Sequence, residues 1–154
     1  MASKQTIDSF LSCRRLAVLG VSRNPGDFSR AMLRAFIERG YDAVPVNPNG
    51  GEADGRPFAR GIAEVAPPVE AALLMTPPAA TDRAVRECAE AGVKRVWMHR
   101  GGGQGAVSPE AVSFCRERGM EVVDGECPFM FLPDSSWFHG VHRFFRRLGG
   151  SLPS

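Results

Sequence analysis

The chain has 154 residues, 44% of them apolar and 23% charged, with a formal net charge of +2; these are the proportions of one globular domain, which at this size buries about 70% of its unfolded surface. So small a charge excess gives no electrostatic ground for nucleic acid or an acidic membrane as partner, and no apolar run reaches the roughly 18 residues of a membrane span. The opening MASKQTIDSFLSC lacks the apolar centre of a secretory signal, so a cytoplasmic protein is expected, and the four cysteines, Cys13, Cys88, Cys115 and Cys127, form no C-x-x-C pair and match no zinc spacing, so neither a metal site nor a disulfide is expected.

In chain order, LAVLG (16–20) is a short apolar run closed by glycine, which predicts a first strand. VSRNPGD reads as a loop. SRAMLRAFIERG then sets Met32, Leu33, Phe36 and Ile37 at helical spacing before Gly40 stops the helix. AVPV (43–46) is the second strand. The Gly-, Pro- and Asn-rich stretch NPNGGEADGRPFARG reads as a long loop, with one helical turn around 62–65. AALLM (71–75) is apolar throughout, as expected of a strand covered on both faces, and it halts at Thr76-Pro77-Pro78. Residues 79–91 carry Ala80, Ala84, Val85, Cys88 and Ala91 on one helical face, and Gly92 ends that helix. RVWM (95–98) is the fourth strand and HRGGGQG its loop. Ser108-Pro109-Glu110 supplies an N-cap and a proline at the first helical position, for a helix ending near Arg118 and Gly119. EVVDG (121–125) contains the fifth strand. In the aromatic tail, 136–148 reads as a helix with Val141, Phe144, Phe145 and Leu148 on one face. The whole chain is expected to be a single domain, 1–154, with 128–154 a helical extension packed on it.

Five strands alternating with helices predict a parallel sheet with right-handed crossovers. The expected architecture is α/β, a Rossmann-like three-layer sandwich whose five strands run in the order 3-2-1-4-5. Ligands of such sheets bind outside the carboxyl ends of the strands, where the order reverses. That rim gathers 20–27, 47–51, 76–78 and 99–103.

The rim residues suggest a phosphate-bearing ligand. The first loop keeps Gly20 and Gly26 but not the full G-x-G-x-x-G of a dinucleotide site. Ser22 and Asn24 can hydrogen-bond phosphate oxygens, Arg23 can pair with a phosphate bidentately, and the helix N-terminus behind them offers N–H donors. The plain alternative is an ordinary turn with a solvated arginine. At Asn47-Pro48 the acid that usually holds a ribose is missing. A neutral amide tolerates a phosphorylated ribose, as in coenzyme A or NADP; equally, Asn-Pro-Asn-Gly is turn chemistry. Thr76 and Pro77 form either a rigid wall for the ligand or a structural stop. His99 has no carboxylate partner identifiable in the sequence, so a polar contact is expected of it rather than catalysis.

Taken together, LAVLGVSRNPGDFSR, GYDAVPVNPN, RVWMHRGG and GMEVVDGECP resemble the small bacterial CoA-binding domain family, stand-alone relatives of the CoA-binding domain of the succinyl-CoA synthetase α subunit. The resemblance covers about 10–130. It implies a Rossmann-like fold holding the nucleotide part of coenzyme A, with ligand contacts at Gly20, Ser22, Arg23, Asn24, Asn47, Pro48, Thr76, Pro77, His99, Arg100 and Gly101. Two departures stand out. Asp27-Phe28-Ser29 replaces the family's usual basic residue and glycine, and His99-Arg100 stands where glutamine is common.

The expected function is therefore non-catalytic binding of coenzyme A or an acyl-CoA, as a carrier or regulatory protein. An NAD(P)-binding redox or redox-sensing domain is the alternative. The tail helix is expected to be core, or else a surface for a homodimer or protein partner.

Overall fold

The computed structural model describes residues 3–100 and 105–132. The expected tail helix and Gly101 lie outside them. The described chain begins with a helix absent from the sequence reading, α1 (Lys4–Leu11), capped by Ser3, whose Oγ accepts the Thr6 N–H at 3.1 Å. There follow β1 (Arg15–Leu19), α2 (Phe28–Glu38), β2 (Asp42–Val46), β3 (Glu52–Ala53), β4 (Arg56–Pro57), β5 (Ala71–Leu74), α3 (Pro78–Glu90), β6 (Arg95–Met98), α4 (Pro109–Glu117) and β7 (Glu121–Asp124), with single 3-10 turns at Ile62–Glu64 and Pro128–Met130.

The five long strands form one parallel sheet. Side chains alternate across it, as the strand period of two requires. Leu16, Val18, Ala71, Leu73, Trp97 and Val123 meet Ile7 and Phe10 of α1 and Met32, Leu33 and Phe36 of α2. Ala17, Leu19, Ala72, Leu74, Val96, Met98 and Val122 meet Val85 and Cys88 of α3 and Val112 and Cys115 of α4. The result is the expected three-layer sandwich. Trp97 anchors α1 by an edge-on contact with Phe10, ring centroids 5.3 Å apart, and its Nε1–H donates to the Glu126 carbonyl at 2.9 Å.

The strand order differs from the expectation. It is β2-β1-β5-β6-β7, or second, first, third, fourth, fifth, so the third strand lies beside the first and the second strand is an edge. Pro45 gives the physical reason. Its carbonyl accepts the Ala59 N–H at 3.0 Å on the side away from β1, and the next outward group, Asn47 N–H, donates to the Ala59 carbonyl at 2.9 Å. In a strand the nitrogen and carbonyl of one residue point the same way. The Pro45 nitrogen therefore faces outward, where no full strand needs a donor from it; the order 3-2-1-4-5 would have buried it against another strand.

The expected long loop after β2 also contains structure. Asp54 and Gly55, with φ of 51° and 79°, turn β3 into β4. Two consecutive positive φ values belong to the type I′ hairpin turn, for which Asp-Gly is a preferred pair. Beyond this hairpin the chain crosses to the α3–α4 face, where Ile62, Val65 and Val69 are buried.

Candidate functional site

The helix after β1 lies on one face of the sheet and the helix after β5 on the other. The carboxyl ends of these adjacent strands thus flank the crevice where ligands of such sheets are held. Gly20 sits at its base. Its N–H donates to the Val46 carbonyl at 3.2 Å. A Cβ on Gly20, which has φ +86°, would lie 2.8 Å from the Met75 carbonyl oxygen and 3.1 Å from the Thr76 nitrogen. Only glycine lets the ends of β1 and β5 approach this closely. The structure therefore brings Gly20, Asn47 and Thr76 together.

The first loop is organised internally. Ser22 Oγ accepts the Asn24 N–H at 3.0 Å, and Asn24 Oδ1 accepts the Gly26 N–H at 3.0 Å. Asp27, one of the departures, is the N-cap of α2. Its Oδ2 accepts from Ser29 N at 2.9 Å and Ser29 Oγ at 2.6 Å. Those bonds, the side-chain one foremost, hold the carboxyl below its ordinary value. Ser29 Oγ in turn accepts the Ser22 N–H at 2.8 Å. The N-terminus of α2 already carries an anion, which competes with a phosphate for its donors. Within the loop the main-chain N–H groups of Ser22, Asn24, Gly26 and Ser29 are already engaged.

Arg30, which the sequence reading missed, holds the loop in place. It is 6% exposed. Its Nη1 donates to the carbonyls of Arg23 at 3.2 Å and Ser22 at 3.5 Å, and its Nε to Asp54 Oδ2 at 3.3 Å. Arg34 reaches the other Asp54 oxygen at 3.7 Å. The hairpin turn thus supports the first loop through a buried cation. No periodic signal marks Arg30, because the buried face of α2 is otherwise apolar.

Asn47 has both ends of its amide engaged. Nδ2 donates to the Val21 carbonyl at 2.9 Å, and Oδ1 accepts the Asn49 N–H at 2.8 Å. It ties the end of β2 to the first loop and turns the chain. An aspartate could not make the first of these bonds, which is a structural reason for the neutral residue. Pro48 is exposed and its carbonyl lies 3.4 Å from Arg60 Nη1. Arg60 was also not singled out in the sequence.

On the far side of the crevice, Thr76 Oγ1 lies 2.8 Å from Thr81 Oγ1. Pro77 is the N-cap of α3, with no side-chain cap. His99 continues β6, its N–H donating to the Leu74 carbonyl at 3.1 Å. Burial lowers its pKa, keeping the ring neutral near pH 7, and its buried Nε2 has no hydrogen-bond partner among the described residues. Phe28 covers it with ring centroids 5.4 Å apart, and Phe129 packs on Phe28 at 5.6 Å. The Arg100 N–H donates to the Glu126 carbonyl at 3.1 Å, placing that residue between the ends of β6 and β7.

The predicted residues therefore fall into two groups. Gly20, Ser22, Arg23, Asn24, Asn47, Pro48, Thr76 and Pro77 surround the switch point. His99 and Arg100 stand apart from Asn47 by three strand spacings, about 14 Å at roughly 4.8 Å each. The rim is an open crevice, polar and arginine-bearing on the β2 side and aromatic on the β6 side. Two other clefts lie away from this rim: one of about 430 Å³ is bounded by Ile62, Val69, Glu87 and Ala91 at the opposite end of the sheet, and one of about 360 Å³ follows the outer edge of β2. Among the described residues no three His, Cys, Asp or Glu side chains gather as a metal site, and no helix is long and apolar enough to cross a membrane.

A parallel sheet wound on both faces, with a polar crevice at its switch point, defines a Rossmann-like ligand-binding domain. The chain belongs to the CoA binding domain family, whose sequence model matches residues 14–133. It is 31% identical over 97 residues to the acetate–CoA ligase [ADP-forming] I subunit alpha of Pyrococcus furiosus, an alignment spanning 59% of this chain but only 21% of that subunit. It is 28% identical over 126 residues to the uncharacterized protein YneT of Bacillus subtilis, covering 81% of this chain and 90% of that one. A solved structure, a hypothetical protein from Pyrococcus horikoshii OT3, shares the fold with a TM-score of 0.75 and 23% identity over 97% of this chain and 94% of its own.

Proposed function

We propose that the chain binds coenzyme A or an acyl thioester of it along this rim, as a binding protein without chemistry of its own. Family membership supports the ligand class. The observation that carries the site is the junction at Gly20, where the first loop, the end of β2 and the start of the β5 loop are drawn together, with Arg23 exposed above it. In this reading Gly20 and Asn47 shape the floor. Ser22, Arg23, Asn24 and Pro48 meet the nucleotide end, Thr76 and Pro77 form the wall, and His99, Arg100 and Gly101 meet the pantetheine arm. The separation of about 14 Å between the β2 and β6 ends suits an elongated ligand. A binding role fits a neutral His99, which among the described residues has no carboxylate to make it a base. Titration calorimetry with coenzyme A, NAD and NADP tests the proposal. Saturable heat from coenzyme A alone is expected; heat from NAD with none from coenzyme A would overturn it.

A further inference from the structure

Two arginines lean on consecutive residues of the loop that follows β2. Gly50 and Gly51 have φ of +70° and +108°. A Cβ on Gly50 would stand 3.0 Å from an Arg60 Nη atom, and one on Gly51 would stand 3.4 Å from Arg23 Nε. The missing side chain at Gly50 lets the Arg60 guanidinium come down onto the main chain, and Arg23 stands in ordinary contact range of the next residue. Among the described residues neither has a carboxylate partner. Among the described residues the Arg60 side chain hydrogen-bonds the Pro48 carbonyl alone, at 3.4 Å, and the nearby Glu64 accepts the Arg60 main-chain N–H instead of its side chain.

The contrast with other arginines is informative. Arg15, Arg30, Arg34, Arg56, Arg83, Arg95 and Arg116 are each paired with an acid, and Arg14, Arg86 and Arg118 lie over aromatic rings. Among the described residues the Arg23 side chain has no hydrogen bond, ion pair or ring contact. Two like charges are thus held against one loop, beside the end of the strand where a ribose is held in this class of fold. A planar guanidinium fork matches phosphate oxygens, and a terminal phosphate monoester carries about −1.5 to −2 charges at neutral pH, more than a phosphate within a diester or diphosphate link.

We infer that Arg23 and Arg60 form a two-guanidinium clamp for a phosphate monoester on the ligand's ribose. This rests on the coenzyme A reading and deepens it. The clamp selects coenzyme A over its 3′-dephospho form, and Arg60 is its second half.

Calorimetry on the whole chain tests this with coenzyme A and 3′-dephospho-coenzyme A, using wild type, Arg23→Gln, Arg60→Gln and, as a remote charge control, Arg83→Gln. Both test positions are exposed, and melting curves verify that the variants fold. Wild type should prefer coenzyme A by about tenfold or more, the scale of one or two charge-assisted hydrogen bonds. Either test variant should bring that ratio toward one, with the larger loss of affinity falling on coenzyme A, and the control should keep the wild-type ratio. Equal affinity of wild type for both ligands, or a ratio that survives Arg60→Gln, overturns the clamp and leaves the coenzyme A reading standing. Binding of neither ligand overturns that reading and the clamp with it.

Discussion

Replacing Arg30 with methionine tests whether the first loop is held from beneath. Methionine keeps most of the aliphatic stem and removes the guanidinium. Breaking a buried ion pair costs about 3–5 kcal/mol when the partner charge is left stranded. Here the Asp54 side chain is 25% exposed and keeps Arg34 at 3.7 Å, so its share falls well below that range. The lost donations to the Arg23 and Ser22 carbonyls, at 3.2 and 3.5 Å, are long and are worth up to about 1 kcal/mol each. The expected sum is roughly 2–3 kcal/mol, or about 5–10 °C in melting temperature for a chain of this size. Urea unfolding followed by far-ultraviolet circular dichroism measures it. A double-mutant cycle with Asp54→Asn should return a coupling of about 1 kcal/mol. A methionine variant within about 0.5 kcal/mol of wild type would refute the idea that this cation holds the loop.

Three further outcomes follow from the same geometry. Asn47→Asp loses the donation to the Val21 carbonyl and sets a carboxylate against it, so urea unfolding should show a loss of about 1–3 kcal/mol even with no ligand present; an unchanged midpoint would return Asn47 to a ligand-contact role. Asp27→Ala should cost about 1 kcal/mol at neutral pH as a lost N-cap. Because the folded-state pKa of Asp27 lies below its ordinary 3.8, this contribution is present above that pH and lost as pH falls through the folded value, so wild-type and variant stabilities should converge in acid. Burial pushes the thiols of Cys88 and Cys115 up to about 12 and about 11, while Cys13 and Cys127 are half-buried. A disulfide reagent should therefore titrate two thiols in the native protein and four in denaturant.

Much of the fold is legible in the sequence because it is written locally. Each strand of the parallel sheet is centred on an apolar run, and Gly40, Gly92 and Gly119, which follow α2, α3 and α4, all have positive φ. Strand order is not local. The same runs serve either order, and only Pro45 hinted that the second strand belonged at an edge. The helix α1 shows two apolar anchors, Ile7 and Phe10, whose value depends on Trp97 far along the chain. The Asp54-Gly55 turn is readable, but it stands in a loop rich in similar residues. At the site, the oddness of Asn47 was visible, but its bond to the Val21 carbonyl joins two loops that only folding brings together. Asp27 reads as an acid opposing phosphate until α2 is seen to start beside it. Arg30 and Arg60 carry no pattern, since what distinguishes them is a carboxylate on a distant hairpin turn for one and a neighbouring glycine for the other.

The outward nitrogen of Pro45 has a consequence beyond strand order. A bare sheet margin is a template on which another chain can add, and folding intermediates are most vulnerable there. In this molecule that margin cannot propagate. The proline offers no donor, Ala59 already occupies the outward groups on either side of Val46, and Arg56 lies across Asp42 at the strand's beginning. An incoming strand would have to displace all three before gaining its first pair of hydrogen bonds. Two copies that pair by strand addition therefore have to use a margin other than this one.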